Sequence, residues 1–400
     1  MANNIDTSTK VTLNEVVGYL ERCIKIKRPA FLWAGPGIGK SSVIAAIAKQ
    51  FNGVSIDMRL SQMQPTDIIG IPYFDSTTTK MRWAPSEYMP TEEFAKQYPL
   101  VILFLDEMNS APPAVQAAAY QLVLDRKAGT YTLPDNVVII AAGNQDSDKG
   151  VTYRMPKPLE NRFLHYVIKE DFQSWLDWAI PAGVHSDVIA YLAWSKEKLY
   201  QFNPNSADKS FPTPRSWEFV SQILHTNTPD NPMNEKEMLD MIGAAIGHGE
   251  ATSFLTYSRI GKNLPHPDDI LSGKVTDLNT KDVSAHYQLI VSTLHSMREY
   301  WEKNSTLKDS WTTVGSASSK RKFQERKWNN EKVHTKWVNM FDNFNTYIMK
   351  NFSKEIGIMA CRMAISNYCF GKSTDLIKLK TFTQMTQTYF KFIYDPADNN

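Results

Sequence analysis

Lys40 and Ser41 close a glycine-rich loop, Gly35-Pro36-Gly37-Ile38-Gly39, that follows the apolar run Phe31-Leu32-Trp33-Ala34. In that order the residues suit a nucleoside triphosphate. The glycines let backbone N–H groups turn inward around the phosphates, Lys40 reaches the β- and γ-phosphates, and the Ser41 hydroxyl is placed to hold Mg²⁺. Ser42 continues the turn into a helix whose positive end faces the same charge. Gly35, Pro36, Gly37, Ile38, Gly39, Lys40, Ser41 and Ser42 are therefore the candidate nucleotide-binding residues. The strict phosphate-loop pattern has Gly where this chain has Ala34, a change that is tolerable if the strand has not yet turned there. A second cluster lies downstream. Leu100–Leu105 is an unbroken apolar run ending in Asp106-Glu107. Asp106 would share the Mg²⁺ with Ser41, and Glu107 would act as general base on the attacking water. Asn144 ends the next apolar run, where a polar side chain would orient that water.

These groups need a scaffold that brings strand ends together. Thr12 with Glu15 makes a capping box for a helix carrying Leu13, Val16, Val17, Leu20, Cys23 and Ile24 on one face. Residues 1–10 are expected to be loose. Ala30–Ala34, Val54–Asp57, Leu100–Leu105, Val137–Ala142 and Phe163–Ile168 read as strands. Val43, Ile44, Ile47, Ala48 and Phe51 have helical spacing, as do Val115, Ala118, Ala119 and Leu122 within a helix over Ala114–Arg126. Residues 1–170 thus predict a five-stranded, parallel, doubly wound α/β domain with its functional residues at strand C-termini. His165, inside the fifth strand, reads as structural.

The segment 58–99 is too punctuated by Pro and Gly for one core helix. A short helix from Pro65 and a hairpin around Ser76–Lys80 fit it best. Tyr73, Phe74 and Trp83 either form a working surface there or pack on the domain. Residues 171–270 read as a helical lid in which Thr213 caps a helix, Pro214 opens it and Arg215 lies in its first turn, placed to reach a phosphate. Residues 271–400 read as a further helical region with a flexible stretch about 304–319. The basic run 320–336 reads as a solvated helix face, with nucleic-acid contact as the other reading.

Composition narrows the classes. The net charge of +2 over 400 residues favours neither a nucleic-acid binder nor a membrane-surface protein. Cys23, Cys361 and Cys369 are widely spaced and read as reduced thiols of a cytoplasmic protein. No apolar run approaches membrane-spanning length, and the eight histidines form no metal-binding motif.

Taken in order, the phosphate loop, the Asp-Glu strand end, the strand-terminal Asn, an arginine before the fifth strand and a lid arginine resemble an AAA+ ATPase. Leu105-Asp106-Glu107-Met108-Asn109-Ser110-Ala111-Pro112-Pro113, Ala142-Gly143-Asn144, Asn161-Arg162-Phe163 and Thr213-Pro214-Arg215 resemble its MoxR-type branch. The resemblance covers roughly residues 10–270, and 280–400 match no pattern of that branch. It implies Lys40 and Ser41 as Walker A, Asp106 and Glu107 as Walker B, and Asn144 as sensor 1. It implies Arg215 as sensor 2 and Arg162 as the finger acting on a neighbouring subunit's nucleotide, with Arg154 and Arg126 as rivals. The segment 58–99 falls where the branch carries its helix-2 insertion. Ser110 departs from the arginine that many such sequences have. The resemblance further implies ATP and Mg²⁺, a ring, usually a homohexamer, and chaperone-like action on a partner protein, often one with a von Willebrand A domain. A nucleic-acid-stimulated motor or loader is the alternative, supported by residues 320–336 and disfavoured by the near-neutral charge. A nucleotide-gated scaffold ring is a second, disfavoured by the intact Glu107 and Asn144.

Overall fold

The computed structural model describes residues 9–145, 152–260, 264–313, 320–365 and 379–394. They fall into two compact units, one of residues 1–175 with 200–216 and one of residues 176–199 with 217–400.

The first unit is built on a parallel sheet. Strand β1 (Thr9–Val11) leads to helix α1 (Leu13–Lys25), β2 (Ala30–Trp33), α2 (Lys40–Gln50) and β3 (Val54–Arg59). The insertion follows as α3 (Pro65–Ile69), β4 (Ile71–Asp75), β5 (Lys80–Ala84) and α4 (Glu92–Ala95). Then come β6 (Val101–Asp106), α5 (Pro113–Asp125), the hairpin β7 (Lys127–Ala128) and β8 (Tyr131–Thr132), β9 (Val137–Gly143), α6 (Lys157–Glu160) and β10 (Leu164–Ile168). The main sheet runs β1-β10-β2-β9-β6-β3, with every neighbour parallel.

The sheet therefore has six strands where five were expected. The difference is β1, in which Thr9 and Lys10 were expected to be loose: Thr9, Lys10 and Val11 pair with Tyr166, Val167 and Ile168. Three residues carry too little pattern to announce a strand, and only the open edge of β10 gives them a partner. The other five strands lie where the apolar runs placed them.

Alternating side chains divide the sheet's burial between two cores, as expected for strands covered on both faces. Leu32, Ile102, Phe104 and Ile140 pack with Val16 and Leu20 of α1 and with Ile44 and Ile47 of α2. Phe31, Leu103, Leu105 and Ile139 face the other way, toward Val115, Ala119 and Leu122 of α5. The expected cap of α1 is present: Glu15 N donates to Thr12 Oγ1 at 3.3 Å, and Thr12 N to Glu15 Oε2 at 2.7 Å. His165 is structural. Its Nδ1 accepts from Trp33 Nε1 at 3.0 Å, and its Nε2 lies 2.8 Å from the Glu160 carbonyl oxygen.

Within the insertion, β4 and β5 form the expected hairpin. Ile71, Tyr73, Phe74 and Met81 are exposed on it. Trp83 is partly buried, close to Gly129 at the turn between β7 and β8.

The chain continues through α7 (Phe172–Ala179) and α8 (Ser186–Trp194) to α9 (Pro214–Thr226), α10 (Glu235–Ile246), α11 (His248–Ile260) and α12 (Pro267–Leu271). In the second unit, Tyr191, Trp217 and Phe254 are buried against one another. The remaining elements are α13 (Val283–Lys303), β11 (Ser305–Thr313), β12 (Lys320–Trp328), α14 (Glu331–Asn351), α15 (Lys354–Ile365) and α16 (Lys380–Tyr394). Residues 305–313 and 320–328 pair as antiparallel strands. Over residues 305–313 this differs from the flexible stretch expected about 304–319, and over 320–328 from the solvated helix face expected for the start of the basic run. Residues 314–319 lie outside the described set. Among the described residues no helix is long and apolar enough to cross a membrane.

Candidate nucleotide site

The sheet order places β2 between β10 and β9, so the loop after β2 opens beside the ends of β9 and β6. Ala34 is still part of the sheet. Its N–H donates to the Gly143 carbonyl at 3.2 Å, it is fully buried, and its φ is not positive. The position where the pattern has glycine thus requires none here.

Glycine is required further on. Gly37 has φ +75°, and a Cβ there would lie 2.9 Å from Thr213 Oγ1. At Gly35 a Cβ would meet the Tyr200 hydroxyl at 2.0 Å. Two glycines therefore admit side chains from residues 200–216, which belong to the first unit. Thr213 caps α9 as expected: Ser216 N donates to Thr213 Oγ1 at 3.0 Å, and Thr213 N to Ser216 Oγ at 2.7 Å. The Arg215 N–H donates to the Gly37 carbonyl at 3.3 Å. The first turn of α9 is thereby fastened to the phosphate loop, and the exposed Arg215 stands beside it.

Lys40 opens α2. Its Nζ donates to the carbonyls of Ala34 at 2.8 Å and Gly35 at 3.5 Å, and to Asn144 Oδ1 at 3.0 Å. The ammonium is held at the mouth of the loop and linked directly to the end of β9. Ser41 Oγ donates to Asp106 Oδ2 at 3.4 Å. A hydroxyl and a carboxylate so close supply the hard oxygen donors that Mg²⁺ takes, with phosphate oxygens and water left to complete the shell.

Glu107 follows Asp106 in a left-handed conformation, φ 54° and ψ 34°. For a residue with a Cβ this costs about 1–2 kcal/mol. The Glu107 N–H donates to Asp106 Oδ1 at 2.8 Å, and the turn Met108–Ser110 follows at once. The bend carries the Glu107 carboxylate off the strand axis. There it accepts a hydrogen bond from Ser61 and lies 3.9 Å from Arg59 Nε. Asp57, on the same edge, has its carboxyl pushed up, first by burial and then by the negative charges of Asp106 and Glu107, against the opposing pull of Arg59. The strand ends thus present concentrated negative charge opposite the Lys40 ammonium, the polarity needed to receive a cation with a polyphosphate.

Sequence reasoning did not single out Asn109, which is 2% exposed. Its Nδ2 donates to the Asn144 carbonyl at 2.8 Å, and its Oδ1 accepts from Asn144 N at 3.2 Å. A Cβ on Gly143 would fall 2.3 Å from that same Oδ1. The Asn109 amide therefore grips both backbone groups of the residue that touches Lys40. Its signal was an amide two residues after the acid pair. Ser61 and Arg59 were also not assigned to the site, because nothing local ties β3 to Glu107.

The structure brings together Lys40, Ser41, Asp106, Glu107 and Asn144 and docks the backbone of Arg215 on the loop. Arg162 and Arg154 do not join this cluster through any described bond, and both are exposed. Arg126 is half-buried and donates to the Pro134 carbonyl at 2.8 Å, and burial pushes its pKa down.

Comparison with known proteins agrees with this core. Residues 30–165 match the ATPase family associated with various cellular activities (AAA). Those residues hold the phosphate loop, the Asp106-Glu107 strand end and most of the central parallel sheet. Midasin of Giardia intestinalis is 23% identical over an alignment of 192 residues that covers 45% of this chain and 4% of that protein. The chain therefore matches only a small fraction of the length of that curated relative. Among solved structures, NtrX from Brucella abortus in complex with ATP is 16% identical with a TM-score of 0.36, covering 72% of this chain and 64% of its own. The Holliday junction branch migration motor RuvB of Thermotoga maritima is 15% identical with a TM-score of 0.33, covering 58% of this chain and 68% of its own.

Proposed function

We propose that this chain forms a ring, a homohexamer, which hydrolyses ATP at subunit interfaces to remodel or activate a partner protein in the manner of the MoxR-type branch. The observation that carries the hydrolytic part is the convergence of Lys40, Asn144, Ser41, Asp106 and Glu107 at three strand ends, held by direct contacts. Ser41 and Asp106 would hold Mg²⁺, which when bound neutralises phosphate charge. Lys40 turns from the loop carbonyls to the β- and γ-phosphates. Asn144 and Glu107 flank the attacking water. Glu107 takes its proton as the water oxygen bonds to the γ-phosphorus, and the bond to the β–γ bridging oxygen breaks to leave ADP and phosphate.

The ring reading rests on the positions of the arginines. A finger must leave its own fold to reach a neighbour's nucleotide. The exposed Arg162 and Arg154 suit that role better than Arg126, which is tied to the Pro134 carbonyl. The exposed apolar residues of the β4–β5 hairpin support a protein partner. A partner bearing a von Willebrand A domain follows from the MoxR resemblance alone, and a cytoplasmic site of action from the widely spaced cysteines read as reduced thiols.

Particle mass and ATPase rate, measured with and without ATP and Mg²⁺, test the reading. ATP should drive assembly to about six chains with turnover rising in step. A monomer that hydrolyses ATP at a rate independent of protein concentration would refute the interface mechanism. Failure of Mg²⁺ to raise the rate would refute the metal assignment.

A further inference from the structure

Three rings gather around Phe31 beside the start of the phosphate loop. The register of β10 on β2 sets His165 opposite Phe31, and Trp33, two residues further along β2, shares that face. Centroids of Phe31 and Trp33 are 4.3 Å apart, those of Phe31 and Phe163 5.4 Å, and those of Phe31 and His165 5.7 Å. A phenylalanine would fill the place of His165 among these rings. What histidine adds is a pair of directed bonds, and its partners fix which nitrogen makes which. The indole N–H of Trp33 can only donate, so Nδ1 accepts it at 3.0 Å. A carbonyl oxygen can only accept, so Nε2 carries the proton and donates it to Glu160 O at 2.8 Å.

That second bond ends two residues from Arg162. The Glu160 carbonyl also accepts the Phe163 N–H at 3.1 Å, and Arg162 N donates to the Leu159 carbonyl at 3.1 Å. Arg162 therefore stands on a tight turn between Leu159, which is fully buried, and Phe163, which is 6% exposed. The Glu160 carboxylate is taken by Lys157 at 2.5 Å, and the exposed Arg162 makes no ion pair among the described residues. Its backbone is fixed while its guanidinium is left uncommitted.

We propose that His165 is a positioning residue for Arg162, setting through the Glu160 carbonyl the turn that presents the arginine to a neighbouring subunit's nucleotide. The inference rests on the reading of Arg162 as the finger between subunits. A finger acts only where its guanidinium meets transition-state charge, and displacements near 1 Å at such positions cost up to about 100-fold. Helix α6 has four residues, too few bonds of its own to hold a position that finely. His165 ties the end of α6 to β10 and β2, adjacent strands inside the sheet.

The test mixes full-length chains into rings and reads ATPase rate, with particle mass confirming that both chains are present. Arg162→Ala chains keep a nucleotide site and lack the finger. Lys40→Ala chains supply the finger and have no working site, so any effect of His165 on their own phosphate loop is silent. Substitutions of His165 are placed in the Lys40→Ala chain alone. His165→Gln reaches the Nε2 position and can keep the bond to Glu160, whereas His165→Asn reaches only the Nδ1 position and keeps the acceptor for Trp33. Lys40→Ala chains bearing His165→Gln should restore turnover to within about twofold of those with His165 intact. Those bearing His165→Asn should restore about tenfold less or worse. His165→Phe, which keeps the ring and loses both bonds, takes the place of His165→Asn if that chain does not enter rings, with the same loss expected. Equal restoration by every chain, or an equal loss with His165→Gln and His165→Asn, would overturn the positioning role and leave the finger standing. No restoration by Lys40→Ala chains with His165 intact would overturn the finger reading and this inference with it.

Discussion

Asn109→Ala should damage turnover from a buried position that need not touch nucleotide. The amide makes two hydrogen bonds, one to each backbone group of Asn144. A neutral hydrogen bond contributes about 1 kcal/mol net, and a backbone group left without its partner costs about 1–3 kcal/mol. Asn144 is half-buried, so water replaces part of what is lost. Asn109→Ala should therefore lower unfolding stability by roughly 2–4 kcal/mol. The catalytic effect is separate. Asn144 Oδ1 lies 3.0 Å from Lys40 Nζ, and a residue freed at its backbone no longer holds that position. Displacements near 1 Å in such sites cost up to about 100-fold. Single-turnover ATPase should fall about 10- to 100-fold, with a smaller change in nucleotide affinity. Asn109→Asp keeps the acceptor for Asn144 N but sets a carboxylate against the Asn144 carbonyl, so it should not rescue. The decisive comparison is with Asn144→Ala. That variant keeps the backbone bonds to Asn109, so adding Asn109→Ala should still reduce stability while reducing turnover little further. Asn109→Ala with turnover within about twofold of wild type, or rate losses that multiply fully in the double variant, would refute positioning through Asn144.

Three other perturbations probe separate parts of the molecule. Glu107→Gln should bind ATP with little change and lose turnover by about 100-fold or more, and residual hydrolysis near the wild-type rate would remove Glu107 as the base. Arg162→Ala should bind nucleotide yet hydrolyse poorly, and recover part of its activity in rings mixed with Lys40→Ala subunits; mixed rings with no recovery would count against a finger acting between subunits. His185 Nδ1 accepts the Asp187 N–H at the start of α8, and its pKa is lowered chiefly by burial, with His225 and His295 adding to the shift and Asp187 opposing it. Below the ordinary value of 6.5 the unfolded chain takes up a proton that folded His185 refuses, so stability should fall as pH drops from 6.5 toward the lower folded value. His185→Asn keeps a capping acceptor without the titration and should reduce the loss of urea midpoint between about pH 7.5 and 5.5, unless His295, also held low by burial, accounts for all of it.

Legibility in this chain follows sequence separation. The phosphate loop, the Asp106-Glu107 strand end, the Thr12 capping box and the Thr213-Pro214 helix start each complete their chemistry within a few residues, and the structure builds each where it was read. Three strands, β2, β6 and β9, were legible because burial on both faces leaves unbroken apolar runs, and β3 and β10 were legible as shorter mixed runs. The sixth was not, because Thr9–Val11 becomes a strand only beside the edge of β10, more than 150 residues on. The same limit hid Ser61 from Glu107 and Tyr200 from Gly35, since those pairings are fixed by the folded sheet and by the return of residues 200–216.

The basic run from Lys320 failed for a different reason. Its alternation is ambiguous: charges at nearly every position satisfy a solvated helix and a two-sided ribbon equally, and neither β11 nor β12 carries an apolar face to set the period. Only pairing decides between them, and the partner strand is the Ser/Thr-rich stretch that composition alone marks as loose. A helix draws its hydrogen bonds from within the run, whereas a ribbon takes them from a partner strand that the run's own composition does not reveal. The eighteen paired residues carry a net charge of +4 that the chain's total of +2 conceals. Net charge is a poor guide to partners in a protein whose two compact units are each free to carry a different sign.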